Sequence, residues 1–165
     1  GGATPVPTAE IALRTTDGGI VVAADGAPAS VTFAPQGGFL LLAGVRTTGF
    51  DVCVDLTAAI RDPMDGNAIV SLEQRPSQLE ARDDGWLYPD QPIQLYNWAN
   101  LFVCEGLTRD FEGGSWLLQI TADDGTSVST ASRLVVPRCA YDDSYCLDTC
   151  TVGTSAAFAS ATRAW

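Results

Sequence analysis

Short apolar runs separated by turn residues are the feature of this sequence that most restricts its fold. From Glu10 onward, runs rich in Val, Ile, Leu and Phe alternate with Gly, Pro and Asp. In the runs 52–60 and 116–122, apolar side chains recur at every second position, which places them on one face of an extended chain. This period of two predicts β-strands rather than helices. The predicted strands are 11–15, 20–23, 31–33, 39–47, 52–60, 68–74, 93–103, 116–122 and 127–136.

Half-buried strands of this kind belong to antiparallel sheets with one face packed on a core. Turn sequences at 62–67 and 123–126, the second containing Asp-Gly, mark two hairpins. We therefore predict an all-β fold, an antiparallel immunoglobulin-like β-sandwich. The 165 residues divide into an N-terminal linker at 1–9, the sandwich at 10–138 and a disulfide-stapled C-terminal tail at 139–165. The segment 75–92 is predicted to be a long loop.

Charge and residue usage exclude several classes of function. The net charge is −11, all nine basic residues are Arg, and there is no His. A surface of this sign repels nucleic acid. Without His or Lys, triads that need a His base and chemistry that needs a Lys amine are impossible. A carboxylate pair, as in glycoside hydrolysis, remains open, and two facing carboxylates in a cleft would favour it. Because the acidic residues lie mostly in turns, we predict no enzyme and no cofactor.

Five cysteines indicate disulfides and an oxidising compartment. No His and no Cys-x-x-Cys motif accompany them, which argues against a zinc cluster. We predict one bridge between Cys53 and Cys104, and a second from Cys139 to either Cys146 or Cys150. One thiol is then left free or pairs outside the chain.

Acidic side chains in two segments are candidate calcium ligands, because calcium prefers oxygen ligands. Neither segment matches the EF-hand loop, so we expect solvated acidic turns and no metal. The first segment contains Asp142, Asp143 and Asp148, and the second contains Asp62, Asp65 and Asn67.

Four large aromatic residues lie within thirteen positions: Trp86, Tyr88, Tyr96 and Trp98. If exposed, they could stack against sugars or contact a protein partner. If buried, they fill the core. We expect Trp98 to point inward, together with Tyr96 and Phe102, which share its alternation phase. The position of Trp86 stays open.

Two stretches carry a family resemblance. They are Pro-Gln-Gly-Gly-Phe-Leu at 35–40, and Trp-Leu-Leu-Gln-Ile-Thr-Ala-Asp-Asp-Gly at 116–125 followed by Leu-Val-Val-Pro-Arg-Cys at 134–139. Across 30–139 the chain resembles secreted immunoglobulin-like lipoprotein domains of high-GC Gram-negative bacteria such as myxobacteria. The resemblance implies a β-sandwich at the cell envelope and brings no site residues with it.

These observations predict a non-enzymatic extracytoplasmic interaction or adhesion module at the bacterial cell envelope. A carbohydrate-binding module using exposed Trp and Tyr is the alternative, and a carboxylate-based hydrolase is the third possibility. The expected partners are a protein or a glycan at the cell surface, and no nucleic acid. No transmembrane segment is expected, and the small-residue start fits a lipid anchor before Gly1.

Overall fold

The computed structural model describes residues 6–90, 95–140 and 143–152. Ten strands and one helix make up this part of the chain. They are β1 (Thr8–Arg14), β2 (Ile20–Val22), β3 (Ala27–Phe33), β4 (Phe39–Thr48), β5 (Cys53–Asp62), β6 (Ala68–Ala81), β7 (Leu87–Pro89), β8 (Ala99–Val103), β9 (Trp116–Asp123), β10 (Val128–Cys139) and α1 (Ser144–Cys150).

Seven of the strands close into a β-barrel. Their order around the barrel is β4, β3, β10, β9, β5, β6 and β7, and the pairing of Thr47 with Leu87 returns β7 to β4. The sheet is mixed, because β3 and β10 run parallel while the other pairs are antiparallel. Strand β8 pairs with β4, and β1 and β2 extend the sheet from β4. The all-β prediction is confirmed, whereas the antiparallel immunoglobulin-like sandwich is wrong.

Strand β4 explains why a sandwich does not form. Its ten residues pair with β3 and β8 along the first half, and with β1 and β7 along the second. A strand that contacts four others in this way cannot be assigned to one of two separate sheets. The register shift in β5 between Ile60 and Arg61 adds the local bend that closed sheets use.

The barrel interior holds the main core, and its lining follows the predicted alternation. Side chains at alternate positions of β5 and β9 are buried, while their neighbours face outward. These inward residues are Val54, Leu56, Ala58, Ile60, Trp116, Leu118, Ile120 and Ala122. Each large apolar side chain buried in this way contributes about 1.5–3 kcal/mol relative to leaving it exposed.

A second, smaller cluster covers the outer face of β4. Trp98 is 0% exposed and packs there with Leu40 and Leu42, so β4 is buried on both faces. Gly44 permits this approach, since a Cβ at that position would lie 3.1 Å from Pro89 Cγ and 3.1 Å from Trp98 Cε3. The long apolar run in the sequence is therefore a strand covered on both sides.

Helix α1 closes one end of the barrel. Its buried residues Cys146 and Cys150 belong to the main core, and Asp143 caps its first turn by accepting hydrogen bonds from the backbone N–H groups of Tyr145 and Cys146. No helix in the described part of the chain has the length and apolar character needed to cross a membrane.

Two disulfides fasten α1 to the barrel, Cys104–Cys150 and Cys139–Cys146. The predicted bond from Cys139 to either Cys146 or Cys150 is confirmed and is Cys139–Cys146, but the predicted Cys53–Cys104 bond is wrong. Cys53 is a free, exposed thiol on the outward face of β5. Cys104 lies in the core, so the two side chains point to opposite sides of the barrel wall.

Several boundaries differ from those predicted. Strand β1 begins at Thr8, inside the segment predicted as a linker, and residues 1–5 and 153–165 lie outside the described residues. Strand β6 continues through Pro76, so much of the predicted loop at 75–92 is strand. Within the strand predicted at 93–103, a 3₁₀ turn occupies 95–97 and the strand is Ala99–Val103, while residues 93 and 94 lie outside the described residues.

Candidate functional site

Polar side chains cover the outer face of the barrel where β5, β6 and β9 lie side by side. Register places Gln74 opposite Thr57, and Thr57 opposite Thr121. Gln74 Nε2 donates to Thr57 Oγ1 at 3.3 Å, while Thr121 Oγ1 bonds Thr130 Oγ1 on β10 at 2.8 Å. A row of hydroxyl and amide groups therefore crosses four strands. We call the surface formed by Asp55, Thr57, Gln74, Thr121 and Asp123 the polar face.

Two carboxylates face each other in the next row. Asp55 on β5 and Asp123 on β9 are direct register partners, and both side chains are exposed. Asp123 Oδ1 accepts one hydrogen bond from the backbone N–H of Gly125, and no ion pair among the described residues involves either aspartate. Like charges directly opposite each other on neighbouring strands destabilise a sheet. A position where such repulsion is kept, with no ion pair to offset it, is a candidate for function.

Two adjoining depressions lie over the polar face. One has a volume of about 440 Å³ and the other about 550 Å³, and Asp55, Pro76 and Asp123 line both. The second extends to Cys53 and Tyr96 at one end of the barrel. Both are open to solvent, so their shape suits an extended ligand rather than an enclosed small molecule.

Tyr96 stands at the margin of this surface and is 75% exposed. Its backbone is held in place from both sides. Arg75 Nη1 donates to the carbonyl oxygens of Leu95 and Tyr96 at 2.8 and 3.4 Å. Buried Asn97 accepts a hydrogen bond from the Gln78 backbone N–H at 2.8 Å through its side chain. These contacts attach the turn to β6, so the Tyr96 ring is carried on a fixed backbone.

No ion pair among the described residues offsets the negative charge of the polar face. Arg75 lines one depression, but its guanidinium forms an ion pair with Glu73 as well as the two carbonyl contacts. At the same end, Asp124 accepts hydrogen bonds from the backbone N–H groups of Asp51, Thr126 and Ser127, which lower the pKa of its carboxyl. Asp124 therefore stays charged and adds negative potential beside the facing pair.

The other aromatic residues considered as ligand-binding candidates make contacts within the fold. Arg46 stacks on Trp86 at 4.1 Å and donates to the Tyr88 hydroxyl, and Tyr88 is buried. Trp98 is buried, as expected from its apolar neighbours. It packs on the outer face of β4 and does not point into the barrel. The expectation that Tyr96 and Phe102 are buried with it is wrong, because both are exposed. The 3₁₀ turn before β8 breaks the alternation between Tyr96 and Trp98, and Phe102 is the exposed residue between buried Leu101 and Val103 of β8.

The candidate calcium ligands have other roles or lie elsewhere. Asp142 lies outside the described residues, Asp143 caps α1, and Asp148 is exposed on that helix. In the second segment, Asp62 forms an ion pair with Arg109 at 2.8 Å. That bond and the Met64 backbone N–H lower the pKa of Asp62.

The facing pair is the feature that sequence reasoning missed. Alternation placed Asp55 on the outward side of its strand, but Asp123 read only as part of a hairpin turn. The one indication in the sequence was Asp55, a carboxylate at an outward position within a predicted strand. Its partner could not be found, since β5 and β9 are not consecutive in the chain.

The chain matches no protein-family model. A search of curated proteins also finds no match.

Proposed function

We propose that this chain is a non-enzymatic binding module that works outside the cytoplasm, as an interaction or adhesion module at the cell envelope. The observation that supports the proposal best is the polar face, with Asp55 and Asp123 facing each other beside exposed Tyr96. The two disulfides support an oxidising compartment, where such bonds persist.

The chemistry of the polar face favours a basic, extended segment of a partner protein. Two facing carboxylates that form no ion pair within the described part of the chain attract Arg or Lys side chains, and the Tyr96 ring can receive a cation on its π-face. Threonine and glutamine side chains offer hydrogen bonds around the charged pair. The net charge of −11 steers a basic partner toward the protein.

The facing carboxylates also bear on the hydrolase possibility. The general acid of a glycoside hydrolase is kept protonated by an apolar pocket, and its site excludes water. Here both carboxylates are exposed on an open surface. Binding therefore accounts for the geometry better than hydrolysis does.

A glycan ligand is the second candidate, and one observation favours it. Tyr96 is exposed on the rim of a surface rich in amide and carboxylate groups, and sugar-binding sites combine an aromatic platform with such groups. Because Trp86, Tyr88 and Trp98 are engaged within the fold, Tyr96 would act as a single platform.

Binding measured on peptide and glycan arrays tests the proposal. We expect the wild-type chain to retain short basic peptides over acidic ones, with binding that weakens as salt is raised. The Asp55→Asn/Asp123→Asn variant should bind at least about tenfold more weakly, equivalent to about 1.4 kcal/mol. The matched control is Asp65→Asn/Asp83→Asn, which makes the same charge change at exposed turn positions.

Three results would overturn the proposed ligand. Equal losses in the two double variants would show a general charge effect rather than a site. Binding of neutral glycans that is abolished by Tyr96→Ala would replace the basic segment with a sugar. Release of reducing sugar from a glycan substrate, abolished by Asp55→Asn, would establish the hydrolase instead.

A further inference from the structure

Two disulfides lie side by side where α1 closes the barrel, and three of their four sulfurs converge. Cys146 and Cys150 are four residues apart on α1, so both point from the same side of the helix into the core. Cys104 follows β8, and Cys139 ends β10. Cys104, Cys146 and Cys150 are buried, and Cys139 is half-buried.

The distances between sulfurs of different disulfides are short. The Sγ atoms of Cys139, Cys146 and Cys150 all lie within 4.8 Å of one another. Cys146 Sγ and Cys150 Sγ, which are not bonded to each other, are 3.9 Å apart. Cys104 joins the group through its bond to Cys150. Thiolates held tetrahedrally about 2.3 Å from zinc stand about 3.8 Å from one another, so this spacing matches one edge of a four-thiolate zinc site.

We propose that the reduced form of this chain binds one zinc ion through Cys104, Cys139, Cys146 and Cys150. The sulfurs of Cys139, Cys146 and Cys150 already converge, and Cys104 Sγ is held beside them by its bond to Cys150. On reduction, each bonded pair would separate to the sulfur–sulfur spacing of the tetrahedron. The inference is independent of the proposed function, because the polar face does not contain these residues.

The chemistry balances in two steps. A phosphine or dithiol reductant supplies two electrons to each disulfide, and two protons convert the sulfurs to thiols; a phosphine is oxidised to its oxide with oxygen from water. Zn²⁺ then binds four thiolates and releases their four protons. The ion replaces two covalent links with four metal–sulfur bonds that join β8, β10 and α1.

The surroundings favour a closed, structural site. Four protein sulfurs complete a tetrahedral coordination shell and leave no position for substrate, as in structural zinc sites. Sulfur ligands also select zinc over calcium or magnesium, which prefer oxygen. Cys53 is exposed on the outward face of β5, so it serves as an internal control.

Metal titration of the full chain tests the proposal. The chain is reduced with a phosphine under nitrogen and titrated with Co²⁺ and then Zn²⁺, while absorption and circular dichroism are recorded. We expect one equivalent to bind with the absorption of four-thiolate cobalt, and zinc to displace it. At about a hundredfold excess of free zinc over Kd, the Tm of the reduced chain should rise by roughly 5–10 °C.

Variants and the oxidised chain supply the controls. Cys53→Ser should keep the stoichiometry and the spectrum, and Cys150→Ala should lose the four-thiolate spectrum. The oxidised wild type, which keeps both disulfides, should bind no cobalt in this way. If reduction unfolds the chain, restoration of the β-sheet dichroism by zinc supports the site.

The proposal would be overturned if the reduced chain bound no metal, or if binding left its Tm and dichroism unchanged. It would also be overturned if the four-thiolate spectrum survived in Cys150→Ala or was lost in Cys53→Ser.

Discussion

The two disulfides should contribute unequally to stability, because they close loops of very different length. Cys104–Cys150 spans a sequence separation of 46, and Cys139–Cys146 spans 7. A chain-entropy treatment at 25 °C assigns about 4 kcal/mol to the long loop and about 2.4 kcal/mol to the short one. Removing the long-range bond should therefore cost about 1.6 kcal/mol more.

Burial increases the expected difference. Cys104 and Cys150 are both in the main core, whereas Cys139 is only half-buried. Replacing the long-range pair with alanine leaves a larger apolar void, which adds to the entropic loss. Loss of this bond also releases the C-terminal end of α1 from β8, while the other end stays joined to β10 through Cys139–Cys146.

Urea denaturation of three variants measures these contributions by linear extrapolation. The variants are Cys104→Ala/Cys150→Ala, Cys139→Ala/Cys146→Ala and the control Cys53→Ala, which should stay within about 0.5 kcal/mol of wild type. An equal cost for the short-range and long-range pairs would contradict the dependence on loop length. A loss of more than about 1 kcal/mol in the control would also contradict it, since that would assign Cys53 a structural role.

Two further substitutions test the packing and the electrostatics. Gly44→Ala should destabilise the fold by about 1–3 kcal/mol in thermal unfolding, because its Cβ would crowd Pro89 and Trp98; an unchanged Tm would contradict that packing. Asp62 has a pKa below its ordinary 3.8 because Arg109 hydrogen-bonds it, so the native state binds fewer protons there than the unfolded state. Its contribution to stability is complete above the ordinary value and is lost as pH falls through the lower native pKa. Stability measured against pH should therefore fall less steeply in acid for Asp62→Asn, and an identical slope would refute this assignment.

Local alternation was enough to identify most of the strands and, for β5 and β9, their buried sides. Leu56 and Ile60 of β5, and Leu118 and Ile120 of β9, line the core as the period of two predicts. The same alternation suits a sandwich and a barrel equally, because each buries one face of its strands. The parallel β3–β10 pair and the contact of β7 with β4 decide closure, and both join segments far apart in the chain.

The candidate site was less predictable, because it too depends on contacts between segments that are far apart in the chain. Asp55 and Asp123 become neighbours only through the register of β5 and β9, which no local pattern encodes. For the cysteine pairing, by contrast, the sequence contained evidence against the bond that was predicted. Alternation already placed Cys53 on the outward face with Asp55, which argues against a bond to buried Cys104.

Nuclear magnetic resonance mapping of a basic ligand shows whether the polar face is a binding surface. The isotope-labelled chain is titrated with a short arginine-rich peptide, and backbone amide shifts are followed at low and at physiological salt. The polar face predicts that the largest changes lie at Asp55, Asp123 and Tyr96, and that they disappear in Asp55→Asn/Asp123→Asn. Changes centred instead on the exposed rings of Phe33 and Tyr145 beside α1, or no saturable changes at all, would contradict the assignment of this surface.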